Sequence, residues 1–384
     1  MLRYELPQHD EPAPPGFWKK HGWWLIPLLV IDVLLVVWWL RRDSAPDAGA
    51  APSATEITAS AEPIPEEPPA PRGLIFGYPT AQHQLLDTNT PGIYMPTASG
   101  RPESAMYGSV RTSKHGGASF HEGLDIGPLN RDRRQMPTDL IVAAADGRVA
   151  YFNRYNGNSN YGKYIVLLHD DPMGEIYTLY AHMEEIDKSI RVGGNVTRGQ
   201  TLGRMGHSAS TGIPVSRAHL HFEVGVMNNR NFHRWFKAQK LKPDHGNYHG
   251  HNLTGMHPLD VYRQQEIHGV FRMDEYLDQI PPAFTLILRA ARLPDYFVRH
   301  PSRWQGSTEF DGALVMEVTE GGIPIRGRPA TAEERTALAG QRHHVLSVDP
   351  AVLGRNGLRF VERKKGVWVL GKNGPRWLEL LTYH

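Results

Sequence analysis

Hydrophobic positions change their rhythm along this chain. From Gly73 to about Tyr262 the apolar runs are short, rich in β-branched and aromatic residues, and broken by Gly, Asn and Asp. Leu140–Ala145, Arg148–Phe152, Lys163–Leu168, Ile176–Tyr180 and Leu220–Val226 have strand length, and Asp146-Gly147, Gly193-Gly194 and Arg198-Gly199 mark turns. Short runs closed by turn residues predict a mainly β, antiparallel domain over 73–265 with short helices at most. From 266 to 384 the text differs. FTLILRAARL reads as a short strand or helix, and GALVMEVTE, HHVLSVDP, LRFVERK and GVWVLGK read as strands, the last two joined as a hairpin at Lys365-Gly366. A small β-rich C-terminal module of open role is expected, able to bind a ligand, shield a groove or hold a protein partner. Trp304, Trp368 and Trp377 suit its core as well as an exposed stacking surface.

The N-terminal pattern is of another kind. WWLIPLLVIDVLLVVWWL, Trp23 to Leu40, carries a single charge, Asp32. Its length is near the lower limit of the roughly 17–25 residues that cross a bilayer as a helix. Paired Trp at both ends suit the interfacial belts, and Lys19, Lys20, Arg41 and Arg42 can snorkel into the headgroups. The reading is an uncleaved signal anchor over 23–40, behind a cytoplasmic tail over 1–22. Residues 41–72, rich in Ala, Pro, Ser and Glu, form a spacer that cannot bury a core. Flanking charges barely set the orientation; the function inferred below puts the C-terminal side on the periplasmic, extracytoplasmic face of the cytoplasmic membrane.

Composition narrows the chemistry. Forty-two basic and 40 acidic residues leave a formal charge of +2, with no nucleic-acid footprint. Cysteine is absent, which removes disulfides, thiolate-bound zinc and thiol nucleophiles. Histidine is plentiful at 20, so a metal site here must combine His with Asp or Glu.

Three short elements fit that requirement. FHEGLDIG places His121 and Asp125 four residues apart; TLYAHM ends a strand-like run on His182; AHLHFEVG places His219 and His221 two apart. In a strand, residues two apart project from one face, so both imidazoles meet one groove. Two imidazoles and a carboxylate leave a fourth position open on zinc, which can lower the pKa of a coordinated water from about 15.7 to about 7. The remaining histidines can then move protons, because imidazole titrates near pH 6.5. His245, His249, His251 and His257 also cluster, but their Gly-, Asn- and Pro-rich setting reads as a loop and not as a second metal site. His169 and His207 are read as structural, His115 is left outside the site, and Glu223 is given a fold-supporting role on the strand face opposite the ligand.

The order H-x-x-x-D, then a strand ending A-H, then H-x-H-F-E, resembles the LytM/lysostaphin family of zinc endopeptidases that act on bacterial cell-wall peptidoglycan. The resemblance runs from about Met106 to Tyr262 and includes AADGRVAYF, NYGKYIVLLH, YTLYAHM and VGGNVTRGQTLGRMG. It implies a LytM-like β-fold of the duplicated-hybrid-motif type and one Zn2+ per chain held by His121, Asp125 and His221. It further implies that His219 activates water, that His182 stabilises the oxyanion, and that peptidoglycan peptide stems are the substrate. The alternative, from another class, is a catalytically silent regulator of a wall amidase; retention of all five positions favours the enzyme. A lipoyl- or biotinyl-carrier reading of VGGNVTRGQTLG lacks a modifiable Lys at a hairpin tip. Two segments depart from the family pattern. PLNRDRRQMPTDL is longer and more charged than the usual turn, and STGIPVSRAHLHF is expanded before the catalytic pair. Both are expected on the groove rim, where they bear on substrate preference.

Overall fold

Strand β11 (Leu220–Met227) shows how alternation builds the architecture. Leu220, Phe222, Val224 and Val226 enter the main core, while His221, Glu223 and Met227 face the opposite side. The computed structural model describes residues 72–112, 118–307 and 309–384. The expected anchor at 23–40, the tail before it, nearly all of the spacer and His115 lie outside the described residues. Among the described residues no helix is long and apolar enough to cross a membrane.

The first twelve strands are β1 (Val110–Thr112), β2 (Ala118–Phe120), β3 (Leu124–Ile126), β4 (Leu140–Val142), β5 (Gly147–Asn153), β6 (Tyr164–Asp171), β7 (Gly174–Ala181), β8 (Met183–Ile186), β9 (Asn195–Val196), β10 (Thr201–Met205), β11 and β12 (Leu253–Met256). Six of them run β12-β11-β7-β6-β5-β9, and β3 joins β11 to complete a seven-stranded antiparallel sheet. A second sheet, β4-β10-β8, packs on it through Ile141, Met183, Ile186 and Leu202. The large sheet is covered on both faces, which is why its central strands read as unbroken apolar runs. On β6, Ile165 and Leu167 enter the main core while Tyr164, Val166 and Leu168 enter a second cluster on the site's face.

The last third contributes β13 (Phe284–Arg289), β14 (Ala313–Val318), β15 (Pro324–Pro329) and β16 (His343–Val348), ordered β15-β14-β13-β16, and the hairpin β17 (Val361–Lys364) with β18 (Val367–Leu370). At its tip Lys365 and Gly366 take φ of 50° and 85°, as a two-residue primed turn requires. Helices are more substantial than expected. Pro258–His268 spans 11 residues, started by the His257 side chain accepting from Leu259 N and stopped at Gly269 with φ 76°. Its Pro at the first helical position is itself a start signal.

All described residues belong to one compact unit. Its core is continuous: Val224, Met256 and Leu259 share a cluster with Phe284, Leu286, Tyr296, Phe297 and Trp377. Each such side chain contributes about 1.5–3 kcal/mol when fully buried. Polar ties repeat the connection. Leu74 and Phe271 exchange backbone hydrogen bonds of 2.9 and 2.8 Å. Asn229 Nδ2 donates to Leu380 O and Tyr383 O at 2.8 Å each.

Candidate metal centre

β3 and β12 lie end to end along one edge of β11, and the centre forms where β3 begins. Register pairs Asp125 directly with His221, so the cross-strand neighbour rule brings carboxylate and imidazole together. Gly123 makes this approach possible: a Cβ there would come within 2.3 Å of Phe222 O. His121, just before the pairing starts, folds over both. Its Nε2 is 2.9 Å from Asp125 Oδ1 and 3.0 Å from His221 Nδ1, which is itself 3.0 Å from the same carboxylate oxygen. All three residues are buried.

His219 and His182 complete the group. His219 Nε2 stands 3.4 Å from Asp125 Oδ1, and the His182 ring centre is 4.8 Å from that of His219. His182 occupies the corner where β7 leaves the large sheet and β8 enters the small one. It takes φ 61°, a left-handed conformation that a non-glycine residue adopts at a cost. Its backbone N–H donates to Tyr161 O at 2.9 Å. The five residues open on a groove of about 850 Å³, walled by 157–161, 209–217 and 243–251.

Outer-shell contacts decide the chemistry. The outer nitrogen of every ring faces an acceptor: His121 Nδ1 donates to Met106 O at 2.9 Å and His182 Nδ1 to Ser208 O at 2.9 Å. His219 Nδ1 donates to Arg217 O at 2.7 Å, and His221 Nε2 to Glu223 Oε1 at 2.9 Å. With its proton spent there, each neutral ring turns a bare nitrogen inward. His121 Nε2, His221 Nδ1 and Asp125 Oδ1 therefore converge as three lone-pair donors, within 4.8 Å of one another. Such a trio needs either a shared proton or a cation. Two imidazoles and one carboxylate form a donor set that suits zinc.

Charge agrees with this. Burial pushes the His121 pKa down, against the pull of Asp125. Burial alone would raise Asp125, yet His121 and His219 hold it well below the usual carboxylate range. For His221 burial is again unfavourable, but hydrogen bonds to Asp125 and Glu223 outweigh it and raise the pKa to about 10. Without metal, His221 supplies the positive charge that the two carboxylates demand. Its folded-state pKa exceeds the ordinary 6.5, so this stabilisation is complete below about pH 6.5 and is lost as pH climbs through 10. Chelated protein is thus expected to show a melting temperature that falls between pH 7 and 10, and metal-loaded protein a smaller fall; scanning calorimetry in both states checks it.

Glu223 corrects the sequence reading. It lies two residues beyond His221 and so shares its face, bonding the ring and accepting Tyr161 OH and Tyr177 OH at 2.7 Å each. The spacing of His219, His221 and Glu223 carried that signal. Arg111 carried none: its guanidinium holds Asp125 Oδ2 and Ser104 O, which leaves Oδ1 alone to face the imidazoles. Orienters of this kind typically change metal affinity 10–100-fold. Glu223→Gln is expected to weaken zinc binding within that range while the fold persists, as competition with a chelating dye would measure.

The other histidines have their own partners. His169 joins Asp146 O and Thr178 Oγ1, and His207 Nδ1 donates to Ile213 O. Both nitrogens of His245 are engaged, by Tyr151 OH at 2.9 Å and Asn158 O at 3.0 Å. His249 and His251 line the groove wall, and burial lowers the pKa of both.

Residues 119–233, which hold all five site residues, match the model of peptidase family M23. That stretch of the chain is similar to the M23 peptidases. No curated protein matches the chain. Solved structures resemble parts of it. Csd3 from Helicobacter pylori is 23% identical over 40% of this chain and 32% of its own, with a TM-score of 0.25. The lysostaphin catalytic domain from Staphylococcus simulans is 23% identical over 32% of this chain and 77% of its own, with a TM-score of 0.23. The chain thus spans about a third of the Csd3 chain it matches. The M23 match ends before helix Pro258–His268 and the C-terminal sheet, although both share the core that supports β11.

Proposed function

We propose that this chain is a zinc-dependent endopeptidase that hydrolyses peptide cross-links of bacterial peptidoglycan, held at the membrane by residues 23–40. The observation that carries the reading is the convergence of His121 Nε2, His221 Nδ1 and Asp125 Oδ1, each ring's outer nitrogen already committed. His121, Asp125 and His221 would hold the ion. Zinc so held supplies Lewis acidity toward water and the scissile carbonyl.

The protein's own groups do the rest. His219, with Nδ1–H on Arg217 O, keeps a bare Nε2 that can take a proton from the attacking water and return it to the departing amine. His182 is also tied at Nδ1, and burial followed by its neighbours His219 and His221 keep its pKa well below the ordinary value. It is therefore neutral at rest with a bare Nε2, and can hydrogen-bond an oxyanion there only as the imidazolium, the form that negative charge developing beside it favours.

The test uses the chain with 266–384 in place. Elemental analysis is expected to give about one zinc per chain, and mass spectrometry of digested cross-linked muropeptides to show split peptides. Zinc retained without any cleavage would support the amidase-regulator reading instead.

A further inference from the structure

The two segments that depart from the family pattern are joined to each other. Within 128–139, Asp132 Oδ1 accepts from Arg134 N and Met136 N at 2.8 and 2.9 Å, and Asp139 accepts from Leu129 N and Asn130 N at 2.8 and 3.0 Å. This braced loop aims Arg131 at the second segment. Arg131 Nη1 donates to Val215 O at 2.9 Å, and Nη2 reaches Ser216 O and Ala218 O at 3.3 and 3.4 Å. Carbonyls 215, 216 and 218 are thus gripped from behind, and the remaining one, Arg217 O, receives the His219 Nδ1 proton. The far end of the segment is tied too, by Ser210 Oγ to Asn160 Oδ1 at 2.6 Å.

That frame presents Arg217 in the groove wall, two residues from His219. Of the two arginines that line the groove, Arg111 is neutralised by Asp125. Arg217 has no acid partner among the described residues, and its Nε–H is buried without an acceptor. Asn158, Ser159, Asn160, Ser210 and Thr211 line the same groove as neutral polar groups. A guanidinium held on a braced turn, with donors to spare, is built to take a planar two-oxygen anion.

We propose that Arg217 is a specificity-determining residue that binds a free carboxylate of the substrate peptide next to the scissile bond. This rests on the endopeptidase reading and names a feature of its substrate: peptides whose neighbouring carboxyl is free are preferred over the same peptides carrying a carboxamide.

Two cross-linked muropeptides that differ only in that group, acid and carboxamide, test it on the zinc-loaded chain. Wild type is expected to favour the acid in kcat/KM by about 10–100-fold, the range of a charge-assisted hydrogen bond. In Arg217→Gln the ratio falls to near one. In Arg217→Lys it is partly kept, since a point charge remains without the fork. A general folding defect would lower both substrates together and leave the ratio intact, which would overturn the proposal, as would equal rates in wild type. Calorimetric binding of both peptides to His182→Ala provides a readout without turnover. If wild type cuts neither peptide, the endopeptidase reading fails, and binding decides Arg217 separately: acid bound more tightly than amide supports it, equal binding ends it.

Discussion

His221→Ala is expected to lose zinc and hydrolysis together, with activity down by about three orders of magnitude or more. The ring does two jobs at once, since Nδ1 faces Asp125 and His121 while Nε2 satisfies Glu223. Its removal takes away one of three donors and strands a buried carboxylate that then keeps only Tyr161 and Tyr177. Breaking a buried charge pair on one side typically costs about 3–5 kcal/mol, so the melting temperature falls as well. Plasma mass spectrometry for metal, muropeptide digestion for activity and calorimetry for stability read the three effects. Full turnover in this variant would remove the basis for the metal centre.

His182→Ala is expected to behave differently: zinc stays, and kcat falls by about 10²–10³, the usual scale for loss of an oxyanion donor. The backbone adds a second, separable expectation. His182 holds φ 61°, which alanine tolerates no better than histidine. Glycine releases that strain, so His182→Gly is expected to be more stable than His182→Ala by about 1–2 kcal/mol while equally inactive. Equal stabilities would mean that the corner carries no strain; lost zinc in either variant would make His182 a ligand after all.

The strands were legible because each is short, apolar and closed by a turn residue. Tyr164 to Leu168 shows the limit of that reading, since both faces are covered and the run alone could not say which side met the site. Motif order pointed to five residues as one group, and His121, Asp125 and His221 lie within contacts of 3.0 Å or less of one another. Glu223 was misplaced although simple two-residue alternation put it beside His221. Arg111 and Arg131 left no trace in the text, because Asp125 and the carbonyls of 215–218 lie 14 and 84 or more residues from them and meet them only through folding. His182's left-handed backbone was equally invisible, being set by the junction of two sheets and not by its own side chain. Helix Pro258–His268 went unread because PLDVYRQQEIH has little amphipathic contrast, despite its proline start.

The single cluster that links Val224 and Met256 to Phe284, Phe297 and Trp377 has a practical consequence. A protease nick near residue 266, or a premature stop beyond it, would not leave a shorter domain with an intact core. It would remove part of the apolar cluster shared by β11, the strand that carries His221 and Glu223, and leave apolar surface inviting aggregation. Loss of the tail would then disturb the candidate centre as well, so the C-terminal third is part of its scaffold and not an appendage.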